Sequence, residues 1–205
     1  KISYAITVCN EFLEIQKLIS QLTLHKRHQD EIVVLYDSKN GDPEVENYLR
    51  THSINGEVSW HKGEFQGQFA DWKNKLNSLC SGDFIFNIDA DEIPHQFLLE
   101  NLPYVLENSD VDLLFVSRIN TVEGITQQHI EKWRWNVDEN RWINFPDHQA
   151  RIYRNSLEIK WEGKVHETVV GFKTYSHLPK LEEWCLYHPK TIERQERQNN
   201  YYDTL

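Results

Sequence analysis

Two apolar periods alternate along the opening part of the chain. Residues 2–9 form a run rich in apolar and β-branched side chains, and Asn10-Glu11 then opens a segment in which Phe12, Ile15, Leu18, Ile19 and Leu22 recur at helical spacing. The reading is a strand followed by a helix. Residues 31–36 predict a second strand, and the turn-forming stretch 37–43 leads into a helix near Glu44. A short strand at 58–60, a helix over 69–80 stopped by Gly82, and a strand over 83–88 continue the alternation.

Further on, the pattern predicts a helix over 94–107 and a strand over 111–119. The aromatic-rich stretch 133–145 has no clean period and reads as a loop or short helix. Segments 149–154 and 157–161 look like a hairpin, 165–170 like another strand, and 193–202 like a polar closing helix. Such alternation predicts a single α/β domain. Its central sheet should be mainly parallel with helices on both faces, and ligands should lie beyond the carboxyl ends of the strands. Asn10, Asp37 and Asp89 fall at such ends.

Composition narrows the picture. With 205 residues, 39% of them hydrophobic, the chain can bury a sizeable core and fold as one domain. Acidic residues outnumber basic ones by 32 to 22, for a formal net charge of -10, so the overall field repels polyanions and disfavours a nucleic-acid partner. No apolar stretch is long enough to span a bilayer, and no signal-peptide layout opens the chain, so the expectation is a soluble, cytoplasmic protein. Methionine is absent, which suggests an excerpt of a longer protein. Cys9, Cys80 and Cys185 are widely spaced and predict small buried hydrophobes, neither a disulfide framework nor a zinc knuckle.

The chemistry concentrates after the fourth predicted strand, where Asp89-Ala90-Asp91-Glu92 places three carboxylates in four positions. Clustered negative charge there is costly without a positive partner. Asp89 and Asp91, two apart on extended backbone, can project to one side, so one can hold a hard divalent cation while the other orders a sugar hydroxyl or a water. The alternative is that Asp91 and Glu92 cap the helix that Pro94 would begin.

Taken in order, these segments resemble glycosyltransferase family 2, with the GT-A (Rossmann-like) fold, and especially its small bacterial and viral members. Thr7-Val8-Cys9-Asn10-Glu11 resembles the opening strand, and 37–42 the acidic turn after the second. Phe69-Ala70-Asp71-Trp72-Lys73-Asn74, then Gly82-Asp83 and Asp89-Ala90-Asp91-Glu92, resemble the family's central block; Val165-His166-Glu167 and His188 resemble its late motifs. Lys73 stands where arginine is usual and keeps the charge without the bidentate fork.

The resemblance implies a metal-dependent, inverting transfer of a sugar from a nucleotide-diphosphate sugar, a UDP-sugar favoured, to a hydroxyl acceptor, expected on a glycan. It implies that Thr7, Glu11 and Asp37 hold base and ribose, that Asp89 lies near the ribose, and that Lys73 touches the diphosphate. Asp91 and His188 would bind Mn²⁺ or Mg²⁺. Residues 1–92 would form the nucleotide-sugar half and 93–205 the acceptor and catalytic half.

On a strand, His166 and Glu167 would face opposite ways. Glu167 is the expected general base, against a reading in which it pairs with Lys164 or Arg151 at a solvated edge. His188 could equally be a satisfied core histidine. Trp133, Trp135, Trp142 and Phe145, near Arg134 and Arg141, suit either stacking on sugar rings or a satellite core. A binding domain without turnover and a metal-dependent nucleotidyltransferase are the competing functions. The latter should carry a Gly-rich basic loop after its first strand, and Cys9-Asn10-Glu11-Phe12 is not one.

Overall fold

A computed structural model describes residues 1–163 and 167–202. Strand β1 (Ile2–Val8) leads to helix α1 (Phe12–His25), β2 (Glu31–Asp37), α2 (Pro43–Ile54), β3 (Ser59–Gly63), α3 (Phe69–Asn77) and β4 (Phe84–Asp89). These four strands lie in parallel in the order β3-β2-β1-β4. The expected β-α alternation is therefore present. α3 ends before residue 80, and Gly82 follows in the link to β4, where an added Cβ would lie 2.7 Å from the Ser3 amide nitrogen.

Both faces of the parallel block are buried. Ile2, Tyr4, Ile6 and Val8 of β1 pack with Ile15, Leu18, Ile19 and Leu22 of α1 and with Val45 and Leu49 of α2. The intervening Ala5 faces Ala70, Trp72 and Leu76 of α3. This is period-two alternation buried on both faces, and each fully buried aliphatic side chain contributes roughly 1.5–3 kcal/mol. The second half adds β5 (Ile93–Pro94), α4 (Gln96–Glu107), β6 (Leu113–Glu123), α5 (Gln127–Trp133), β7 (Ile143–Arg154), β8 (Lys160–Glu162), β9 (Thr168–Val170), β10 (Tyr175–His177), β11 (Leu186–Thr191) and α6 (Ile192–Tyr202). Leu98, Leu99, Leu102 and Leu106 of α4 join the α1 face.

β7 runs antiparallel between β4 and β6, while β10 and β11 both pair with β6 in parallel. The sheet is mixed but mostly parallel, with helices on both faces. Two expectations need correction. Segments 149–154 and 157–161 are not a hairpin, because β7 satisfies its ladder on β4 and β6 and β8 pairs with β9 instead. Pro94 does not start a helix; it is buried in β5 against β11, and His95 caps α4. The strand expected over 165–170 is described only as β9, with Lys164, Val165 and His166 outside the described residues.

β7 carries two irregularities, both toward the carboxyl edge of the parallel strands. Between the pairs Leu114↔Ile152 and Phe115↔Ala150 it has one extra residue, Arg151. Between Arg118↔Asp147 and Asn120↔Ile143 the register slips again. Such bulges re-aim side chains near functional sites. The stretch 133–145 is irregular as expected, and Arg134, Arg141 and Asn144 all adopt left-handed backbone.

Candidate active site at the carboxyl edge of the sheet

The turns after β1 and β2 hold their acids by local bonds. Glu11 accepts hydrogen bonds from the backbone amides of Cys9 (2.9 Å) and Asn10 (3.1 Å). Asp37 accepts from the amides of Lys39 (3.0 Å) and Phe65 (3.1 Å) and from the Asn40 side chain (2.9 Å). Burial opposes its ionisation, yet these donors leave its carboxyl below the usual range. Its turn tolerates only glycine at position 41, where a Cβ would lie 2.2 Å from the Asp37 carbonyl. Thr7, half-buried, pairs in register with Leu35 and Asp89. Cys9 lies between these acids, and burial, Glu11 and Asp37 push its thiol up to about 11, so it is no nucleophile at neutral pH.

The carboxylates after β4 are held from far away. The bulge residue Arg151, 2% exposed, donates to Asp89 (2.5 Å) and Glu92 (2.6 Å). Arg118 reaches Glu92 at 3.1 Å and Asp147 at 2.8 Å. Glu92 is wholly buried and also accepts from the Asp89 amide at 3.1 Å. The helix-cap reading of Asp91 and Glu92 is thus replaced: Glu92 is a buried counter-ion for two arginines. Burial works against Asp89 as an anion, but Arg151 and then Lys73 hold its carboxyl well below the ordinary range.

Lys73 links two of the expected site residues. Its Nζ is 3.7 Å from Asp89, 2.9 Å from Glu167, and 4.3 Å from the centre of the Trp161 ring. Glu167 therefore pairs with Lys73, while Arg151 is engaged by Asp89 and Glu92; the alternative partner Lys164 lies outside the described residues. Its segment is registered by Asn74, whose side-chain amide donates to the Trp161 carbonyl and accepts from the Trp161 amide, each at 2.8 Å.

Asp91 and His188, 97 residues apart, meet with Nε2 3.2 Å from Oδ2. The Asn120 amide donates to Asp147 at 2.9 Å, which turns its carbonyl oxygen toward His188 Nδ1 at 2.7 Å. Nδ1 must then carry a proton, and Nε2 faces the carboxylate as a second N–H donor when the ring is protonated and with its lone pair when the ring is neutral. A proton or a metal ion between them satisfies both, and orientation of the ring by a side-chain partner is usual for a metal-ligating histidine. Burial opposes ionisation of Asp91, yet His188 and Arg194 bring its carboxyl down to about 2. Among the described residues no cluster of three or more metal-ligating side chains occurs. Two protein ligands still suit Mg²⁺ or Mn²⁺, which commonly take their remaining oxygens from phosphate and water.

Beside His188 opens a cavity of about 300 Å³, walled by Trp135, Arg118, Asn120 and Asp147. Trp135 packs on Trp133 and Trp142 on Phe145, all half-buried and outside both core clusters. Left-handed backbone at three non-glycine residues nearby costs energy that tends to be kept where a site needs it. Sequence reasoning missed Arg118, Arg151, Asn120 and Arg194 as site residues. The acidic cluster announced a need for cations, but nothing in the local pattern named the suppliers.

The profile described as "Glycosyl transferase family 2" matches residues 3–177. No curated protein matches. Among solved structures, S. aureus TarS 1-349 superposes with a TM-score of 0.65 at 14% identity, over 92% of this chain and 60% of that one. TarS 1-349 in complex with UDP-GlcNAc superposes with a TM-score of 0.64 at 14% identity, over 93% and 58%. The likeness establishes a shared fold, and the chain spans about 60% of that structure's length. No helix among the described residues is long and apolar enough to cross a membrane.

Proposed function

The chain belongs to glycosyl transferase family 2 with a GT-A fold, and from that premise we propose that it moves a sugar from a nucleotide-diphosphate sugar to a hydroxyl acceptor, with inversion and with a divalent metal. UDP-sugars are the favoured donors and a saccharide the favoured acceptor. The observation that carries the reading is the meeting of Asp91 and His188 at 3.2 Å, with the imidazole ring oriented by Asn120 so that Nε2 faces the carboxylate.

Thr7, Glu11 and Asp37 line the nucleotide end, and Asp89 lies nearer the ribose. Residues 1–92 thus supply most of the donor site and 93–205 most of the acceptor side. Asp91 and His188 hold the metal, which when bound offsets charge growing on the diphosphate. Lys73 adds a fixed positive charge in the same place. Glu167 accepts the proton of the acceptor hydroxyl while its oxygen forms the new bond to the anomeric carbon, opposite the departing diphosphate. The donor's carbon–oxygen bond breaks and its electrons leave with the diphosphate. The cavity beside His188, with Trp135 as a flat wall, is where the acceptor sugar stacks.

The test is a panel of nucleotide sugars incubated with the chain and Mn²⁺, followed for free sugar and nucleoside diphosphate. We expect metal-dependent release from a UDP-sugar, abolished by Asp91→Asn because a neutral amide binds a hard cation poorly. Tight binding with no release would leave only a binding domain. Release of pyrophosphate would point to nucleotidyl transfer.

A further inference from the structure

We propose that Arg194 makes metal binding at Asp91 and His188 depend on a nucleoside diphosphate, an inference that rests on the metal–nucleotide reading of the same site. Arg194 Nη2 lies 3.2 Å from Asp91 Oδ2, the oxygen that also faces His188 Nε2 at 3.2 Å. One carboxylate oxygen thus faces both the imidazole nitrogen with which it would share a metal and a guanidinium that occupies the metal's side of it. A divalent ion bound roughly 2.1 Å from that oxygen would sit within a few ångströms of the guanidinium, and like charges at that range oppose each other strongly in a partly buried site.

Arg194 has other carboxylates to fall back on. Its Nη1 bonds Glu14 at 2.6 Å, and Glu11 is 3.9 Å from Nη2, so α6 is strapped to the start of α1 at the mouth of the nucleotide end. Leaving Asp91 does not leave the guanidinium unpaired. With Asp91 and His188 as its ligands among the described residues, a bare metal would gain two protein contacts and meet a repelling cation. A diphosphate changes both sides of the balance: it supplies further metal oxygens, and it gives the guanidinium a doubly anionic partner of fitting geometry. Metal and nucleotide therefore bind as a pair, and linkage requires each to tighten the other by the same factor.

The experiment is titration of Mn²⁺, read as free ion by electron paramagnetic resonance, with and without UDP, on the parent, Arg194→Gln and Arg194→Lys. Circular dichroism confirms that the variants fold, which a substitution on the outer helix α6 should permit. UDP is expected to tighten Mn²⁺ binding by roughly 100-fold in the parent, near the upper range of such couplings. In Arg194→Gln, bare Mn²⁺ should bind about tenfold more tightly and the UDP-dependent factor should shrink correspondingly, since the repelling charge is gone. Arg194→Lys, which keeps the charge, should stay close to the parent. If Arg194→Gln leaves bare-metal affinity and the UDP factor unchanged while the parent binds Mn²⁺ with UDP, this inference is wrong and the site assignment stands. A parent that binds neither Mn²⁺ nor UDP overturns both.

Discussion

The parallel strands of the first half and the mixed strands of the second meet at one edge of the sheet, yet they bring opposite charges to it. β1, β2 and β4 deliver Glu11, Asp37, Asp89, Asp91 and Glu92. β6, β7, β11 and α6 deliver Arg118, Arg151, His188 and Arg194. Within the acidic group there is a further division. Glu11 and Asp37 are held by donors close in sequence or by an adjacent turn, whereas Asp89, Asp91 and Glu92 take their closest charged partners from the other half. Assembling the site and completing the sheet are therefore one event: a second half docked out of register would leave buried carboxylates unpaired.

If the second half supplies the chemistry and the first the donor binding, Glu167→Gln should show the separation most sharply. The amide keeps the shape but cannot take a proton, so turnover should fall by roughly 10²- to 10⁴-fold. UDP affinity, measured by calorimetry, should barely move. A large loss of UDP affinity would mean that Glu167 itself works in donor binding, and the division of labour between the halves would collapse.

The next largest effect concerns the charges themselves. Arg151→Met leaves Asp89 and the wholly buried Glu92 short of a partner, and urea unfolding should show a loss of about 3–5 kcal/mol, the usual cost of stranding a buried charge. Adding Glu92→Leu should recover part of it. Asp37→Asn, which retains one acceptor oxygen in a locally bonded turn, should cost only about 1–2 kcal/mol. Equal losses from Arg151→Met and Asp37→Asn would erase the distinction between acids held locally and acids held across the sheet.

The same distinction explains what could be read from the sequence. The elements of the first half were legible because each strand and helix obeys a single period and each turn carries its own punctuation. The acids were legible because they sit at strand ends beside those turns. Arg151 was not: in Gln149-Ala150-Arg151-Ile152 it reads as an ordinary strand residue, and only one extra residue in the pairing with β6 turns it toward Asp89. Pro94 misled for a similar reason, since its fit to a helix start is local while its burial beside β11 is not. His188 was anticipated by resemblance alone; its orientation depends on Asn120 and Asp147, which reach it through tertiary contact.

The smallest effect is also the most discriminating, because it follows two acids of the first half with similar acidity and different partners. Asp91 and Glu31 are both drawn down to about 2. For each, burial raises the value and bonding more than reverses it, but Glu31 is held by Lys1, Ser3 and Ser81 of its own half, while Asp91 is held by His188 and Arg194 of the other. A depressed native value means that each contributes stability above its unfolded value of about 4, and that this contribution is lost as pH falls through about 2. In His188→Ala the Asp91 carboxyl should titrate closer to 4, and its share of the acid-dependent stability should shrink, while the Glu31 titration stays where it was. Carboxyl NMR titrations of parent and variant read both residues in one sample. If Asp91 keeps its low value without His188, then Arg194 alone supports it, and the imidazole is not the group that binds the two halves together at this oxygen.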